Sequence, residues 1–224
     1  MTTDAVGRPG CIGLVLAAGA GRRYGGPKAL VPGWLGDRVA ALRDGGCASV
    51  VAVLGAQAGD ARAGVPAGVD VVVAEQWREG MGASLRAGLD WCARGDAAAV
   101  LVVVVDTPGL TSQAVVRVRA AGGDDPRQAL VQATYGGRPG HPVLLGRAHW
   151  GGVADAARGD RGARDYLAGH AVVAVECADV ADGRDVDVRS ATRPDKPGRR
   201  GPVRGSAAPS DRCPGALPRP GPTA

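Results

Sequence analysis

Leu16-Ala17-Ala18-Gly19-Ala20-Gly21-Arg22-Arg23-Tyr24-Gly25-Gly26-Pro27-Lys28 is the stretch on which the reading of this chain turns. It continues the apolar run Ile12-Gly13-Leu14-Val15-Leu16, the pattern of a short buried strand that ends in a glycine-rich loop. Small residues after a strand let backbone N–H groups approach a polyphosphate, and Arg22, Arg23 and Lys28 gather positive charge there. Two familiar phosphate loops are excluded. A Walker loop requires Gly-Lys-Ser/Thr, whereas Lys28 stands between Pro27 and Ala29. A dinucleotide fingerprint requires Gly or Ala at position 24, where Tyr24 stands.

Outward from this loop the chain alternates strand and helix. Helices are predicted over 35–44, where Leu35, Val39 and Leu42 share a face, and over 80–94, where Leu85, Leu89 and Cys92 do. Strands are predicted at 49–54 and 69–74. The segment 99–105 is apolar throughout, as expected of a central strand covered on both faces. It stops at Asp106-Thr107-Pro108, and a helix over 111–120 follows with Thr111 or Ser112 as N-cap. Strands at 129–135 and 142–145 flank the glycine-rich turn 136–140, then come a helix over 161–167 and a strand at 170–176. This order predicts an α/β fold, a doubly wound, mostly parallel Rossmann-like sheet. Such sheets bind ligands beyond the carboxyl ends of their strands, so Gly19 and Asp106 are expected at one crevice.

Composition sets the outer bounds. The 224 residues suit one α/β domain over 1–188, and with aromatics at 3% and no Phe the core must be aliphatic. The longest apolar run, 97–105, is far short of the roughly 20 residues that span a bilayer. The N-terminus lacks the features of a signal peptide, so a cytoplasmic location is expected. The five cysteines are scattered without a C-x-x-C pair, which argues for small buried hydrophobes over disulfides or structural zinc. The formal charge of +5 belongs to the end of the chain: residues 189–224 carry +6 and the rest −1. That tail, with eight Pro and five Gly, is expected to be disordered, and no nucleic-acid groove is implied for the folded part.

The loop pattern resembles the Leu-Ala-Ala-Gly-x-Ser-x-Arg-Met-Gly-x-Pro-Lys signature of MobA-like NTP transferases, most closely the branch of molybdenum cofactor cytidylyltransferases. Further stretches are similar in the same order: Gly80-Met81-Gly82-Ala83-Ser84-Leu85-Arg86, Val105-Asp106-Thr107-Pro108, Gly140-His141-Pro142 and Gly159-Asp160-Arg161-Gly162-Ala163-Arg164. The resemblance implies transfer of a nucleoside monophosphate from an NTP, CTP foremost and GTP as the alternative, to a phosphorylated acceptor such as molybdopterin. Pyrophosphate leaves, and a molybdoenzyme is the implied maturation partner. A sugar or alcohol phosphate acceptor, or a nucleotide-binding module that has lost catalysis, are the other readings. By the resemblance, Arg23, Lys28 and Asp106 are catalytic, Mg²⁺ is held by Asp106 and Asp187, and Leu16, Ala17, Ala18, Gly19 and Ser84 bind the nucleotide together with Arg23 and Lys28. His141, Asp160 and Arg164 fall on the acceptor side, although His141 also reads as a histidine satisfied in a turn and Asp160–Arg164 as a local ion pair. Besides Gly21 in place of the signature Ser, two departures stand out. Pro32-Gly33-Trp34-Leu35-Gly36-Asp37 is shorter than the turn and Pro-Leu-Leu-like helix start of the pattern, which implies a differently shaped loop beside Lys28. After Asp185-Val186-Asp187 the chain has Val188-Arg189 where the pattern has Thr-Pro and a closing helix.

Overall fold

The computed structural model describes residues 10–187. The tail expected from 189, its boundary with the domain, and Cys213 lie outside the described residues. In chain order the strands and α-helices are β1 (Cys11–Ala17), α1 (Trp34–Asp44), β2 (Ser49–Leu54), α2 (Ala58–Arg62), β3 (Asp70–Val73), α3 (Met81–Ala93) and β4 (Ala99–Val104). There follow α4 (Ser112–Ala120), β5 (Leu130–Tyr135), β6 (Arg138–Gly146), α5 (Trp150–Ala156), α6 (Arg164–Ala168) and β7 (Val173–Glu176). The strands form one seven-stranded sheet in the order β3-β2-β1-β4-β6-β5-β7. Among the described residues only β6 runs antiparallel to its neighbours, β4 and β5. The expected mostly parallel α/β sheet is what the chain forms.

Alternation along each strand builds two cores, one on each face. From β1, Val15 and Ala17 join Leu35, Val39 and Leu42 of α1 and Val115 and Val118 of α4. Leu14 and Leu16 face the other way, towards Leu85, Leu89 and Cys92 of α3 and Trp150 and Val153 of α5. β4 is buried along its whole length, as its sequence predicts. Cys11, Cys47, Cys92 and Cys177 are buried free thiols within this packing, and burial pushes Cys92 up to about 12, which leaves it unreactive.

Thr111 is the N-cap of α4, its hydroxyl accepting from Ala114 N–H at 3.3 Å. Four stretches differ from the sequence expectation. The turn expected over 136–140 contracts to Gly136-Gly137, both at positive φ (60° and 75°). That geometry suits a two-residue hairpin turn, so residues 138–140 become strand. The late helix starts at Arg164, because Gly159–Arg161 forms a 3-10 turn ended by Gly162 at φ 54°. Short α2 and α5 were not anticipated, since neither spans enough turns for a periodic pattern to emerge.

Candidate active site

Parallel pairing of β1 with β4 sets Leu16 beside Val104, and Val105 N–H donates to Leu16 C=O at 3.1 Å. The glycine-rich loop and Asp106 therefore leave the sheet side by side, as expected for the crevice of such a sheet. A cleft of about 800 Å³ opens there, walled by the loop from Ala17 to Tyr24, by Ser84 at the start of α3, and by Asp106 and Asp187. The loop is shaped by glycine at Gly21. Gly21 sits at φ 57° and its carbonyl accepts the N–H groups of Gly25 and Gly26 (2.9 and 3.1 Å). A Cβ at Gly21 would collide with Gly26 C=O, so the departure from Ser is needed by this turn.

Four charged groups meet at the cleft's edge. Lys28 Nζ lies 2.6 Å from Asp106 Oδ2 and 3.5 Å from Asp187 Oδ1. Arg23 reaches Asp187 from outside at 3.6 Å, its side chain 82% exposed. Lys28 is only 12% exposed, so its ammonium is a nearly enclosed cation between two carboxylates. Among the described residues no three His, Cys, Asp or Glu side chains gather in one group. Asp106 and Asp187 nonetheless converge on a single cationic position. Two carboxylates at such a point are a donor set that a hard divalent ion accepts when phosphate and water oxygens complete its shell.

Asp187 arrives there on a segment anchored by both side-chain and backbone bonds. Arg117 of α4 grips Asp179 through two bonds (2.6 and 2.9 Å) and also donates to Glu176 C=O. Thr111 Oγ1 donates to Val180 C=O. Asp182 N–H then bonds Gly109 C=O (3.1 Å) and Val186 N–H bonds Asp106 C=O (3.0 Å). The segment is thus laced along the turn that follows β4 and delivers Asp187 to Lys28.

A second cavity of about 600 Å³ shares Leu16, Met81, Asp106, Asp160, Arg164 and Asp185 with the cleft. Its floor is aliphatic, with Val102, Val143, Leu145 and Leu167, and carries Gln132 and His141. His141 Nδ1 lies 3.2 Å from Val102 C=O. The surrounding protein holds its pKa below the ordinary histidine value by desolvation, only partly offset by that hydrogen bond and by Asp106 and Asp185. His141 lies in strand β6, not in a turn; its ring is hydrogen-bonded to backbone and lines the cavity. The local ion pair in the neighbouring turn forms between Arg161 and Asp165 (2.8 Å), not between Asp160 and Arg164. Both of those side chains border the two cavities.

Several site residues escaped the sequence reading. Trp77 and Arg78, stacked with the guanidinium 4.6 Å from the ring centroid, form part of the cleft wall. Their position just before Gly80 was the available signal. Asp185 lay within the recognised Asp-x-Asp. Arg38 and Thr107, which hold the acidic turn from beneath, gave no local signal. His149 and His170 serve structure: His149 bonds Tyr166 Oη and Gln128 C=O, and His170 stacks on Tyr166.

The sequence profile of the MobA-like NTP transferase domain matches residues 13–175. A nicotine blue oxidoreductase of Paenarthrobacter nicotinovorans is 36% identical over 80% of this chain and 93% of its own length. A molybdenum cofactor guanylyltransferase of Rhodobacter capsulatus is 36% identical over 62% of this chain, which spans 64% of that relative. Among solved structures, Rv0371c of Mycobacterium tuberculosis superposes with a TM-score of 0.66 at 30% identity, covering 84% of this chain and 95% of that one. Rv0371c has also been solved in complex with manganese, at a TM-score of 0.62 and 27% identity over 79% of this chain and 89% of that one.

Proposed function

The chain belongs to the MobA-like NTP transferase family and is a nucleotidyltransferase, and we propose that it moves CMP from CTP onto a phosphorylated small molecule such as molybdopterin, with Mg²⁺ as its metal. The observation that carries this reading is Lys28 between Asp106 and Asp187 at the edge of the glycine-rich cleft. In the reaction an acceptor phosphate oxygen bonds to the α-phosphorus while the bond to the β-phosphate breaks, and pyrophosphate leaves with the electron pair. Such chemistry asks the protein mainly for positioning and charge neutralisation.

In this reading Lys28 neutralises charge between the acceptor and the α-phosphate. Arg23, exposed and reaching over the cleft, stabilises the departing pyrophosphate. Leu16, Ala17, Ala18, Gly19 and Ser84 receive the nucleoside, and Asp106 and Asp187 hold the metal, which supplies further neutralisation of phosphate charge. The aliphatic cavity receives the acceptor's ring, and Arg164 at its border takes the phosphate, with His141 and Asp160 beside it. The choice of CTP rests on Ala17-Ala18 before Gly19 and Pro27 before Lys28. The Rhodobacter relative keeps GTP as the alternative.

A second reading comes from the Paenarthrobacter relative, whose name is that of an oxidoreductase and whose similarity spans 93% of its length. On that reading the aliphatic cavity would take a planar dye and the cleft its reductant.

Calorimetry with CTP and GTP, with and without Mg²⁺, on wild type and Asp106→Ala separates these possibilities when paired with an assay for pyrophosphate release. Metal-dependent binding of CTP, lost in the variant, and pyrophosphate release with a pterin phosphate support the proposal. Binding without release points to a nucleotide-binding module. Binding of neither triphosphate, with oxidation of a reduced nicotinamide cofactor in the presence of a dye, overturns it in favour of the second reading.

A further inference from the structure

Arg38 lies in the middle of α1 and is 2% exposed. One Nη donates to Thr107 C=O at 2.7 Å and the other to Pro108 C=O at 3.2 Å. Its Nε has no partner among the described residues. Desolvation holds the Arg38 pKa below its ordinary value, the expected consequence of taking a cation out of water. The two carbonyl bonds offset that cost, and they aim the guanidinium at one short stretch of backbone.

What the guanidinium grips is the turn that presents Asp106. The carbonyls of four successive residues in that turn are occupied. Asp106 C=O accepts from Val186 N–H (3.0 Å) and Gly109 C=O from Asp182 N–H (3.1 Å). Thr107 C=O accepts from Arg38 and from Leu110 N–H, and Pro108 C=O from Arg38. The segment leading to Asp187 therefore holds the turn from one side, and Arg38 holds it from the other. α1 itself follows closely on the 3-10 turn that carries Lys28. The turn is thus the common reference for Lys28, Asp106 and Asp187.

We propose that Arg38 is a positioning residue for the transfer reaction: by clamping two adjacent carbonyls of the acidic turn to the helix after the Lys28 loop, it fixes Asp106 against Lys28 and Asp187. The role in transfer rests on the function proposed above; the clamp on the turn does not. Arg38→Lys keeps the charge but cannot span both carbonyls, and Arg38→Met keeps volume without donors.

Hydrogen exchange followed by NMR on the full chain tests the clamp directly. The amides of Val186, Asp182 and Leu110 should exchange at least about tenfold faster in Arg38→Lys while those of Val102 and Val103 in β4 keep their wild-type rates, the pattern of local opening. Uniform acceleration across turn and β4, or no change at the turn, would overturn the proposal in favour of a purely structural residue. If Arg38→Met fails to fold, Arg38→Lys alone decides. In the CTP assay, kcat in Arg38→Lys should fall on the order of 10²-fold with little change in KM for CTP, since small misplacement of reacting groups has effects of that size. An unchanged kcat, with active wild type, overturns the positioning role. Inactive wild type counts against the proposed function, and the exchange pattern still decides the clamp.

Discussion

At the scale of single residues, the site is a small set of charges whose meaning depends on what surrounds them. Lys28 is nearly enclosed and carries two carboxylate contacts, whereas Arg23 is exposed and carries one. Lys28→Met should therefore cut kcat for pyrophosphate release on the order of 10²–10³-fold, the usual effect of removing a preorganised charge from developing phosphate charge. Arg23→Met should cost less, because solvent screens an exposed guanidinium; equal losses in steady-state assays would contradict this ranking. His141 gives a pH prediction. Its folded pKa lies below the unfolded value, so between the two the unfolded chain binds more protons. Its contribution is fully present above the ordinary histidine pKa of about 6.5 and is lost as pH falls below that value through the folded pKa. In His141→Asn, whose amide can still donate to Val102 C=O, thermal midpoints should decline less steeply between about pH 7 and 5 than in wild type.

At the scale of elements, turns and helix starts carry the constraints. Glu176 at the end of β7 accepts from Gly136 N–H, Gly137 N–H, Ala178 N–H and Thr134 Oγ1, tying the β5–β6 hairpin turn to the last strand. Those donors hold its carboxyl down to about 2 from an ordinary value of 4.5. Because the folded pKa is depressed, the stabilisation is full above pH 4.5 and is lost as pH falls through about 2. Glu176→Gln should flatten the acid limb of the melting-temperature profile in that window and leave the neutral limb parallel to wild type. Gly82, in the first turn of α3, faces the backbone of Ala157 and Arg158, and a Cβ there would lie 2.8 Å from Ala157 C. Backbone cannot swing aside as a side chain can. Gly82→Ala should lower stability by about 1–3 kcal/mol, the range for overpacking, measured by denaturant unfolding. It should also raise KM for the acceptor more than for CTP, since it pushes away the stretch that leads to Asp160 and Arg164.

At the scale of the whole molecule, the cleft draws on β1, β4, α3 and the segment running to Asp187, so ligand binding should be felt by the entire fold. CTP with Mg²⁺ at about 100 times the dissociation constant should stabilise the native state by about 2.7 kcal/mol. For a domain of this size that corresponds to a rise in melting temperature of about 5–11 °C. Scanning calorimetry should show this rise in wild type and little of it in Asp106→Ala; an equal rise in the variant would place the metal elsewhere.

The sequence by itself determined the alternation of strands and helices, the glycine-rich loop, and the emergence of that loop and Asp106 at one end of the sheet. These are local matters: the apolar run of β4 and the small residues after Leu16 each dictate their own conformation. It also marked Lys28, Ser84 and Asp187 through resemblance to a family pattern. Only the tertiary structure decided where β6 goes, because an antiparallel strand slipping between β4 and β5 follows from a two-glycine turn and from packing, not from any signal in 138–146. Only it decided that Asp187 meets Lys28 across 159 positions of chain, through long-range bonds from Arg117, Thr111 and the backbone that no local pattern announces. And only it gave Arg38 a purpose, since a basic residue on an amphipathic helix reads as solvated until folding brings two carbonyls to its guanidinium.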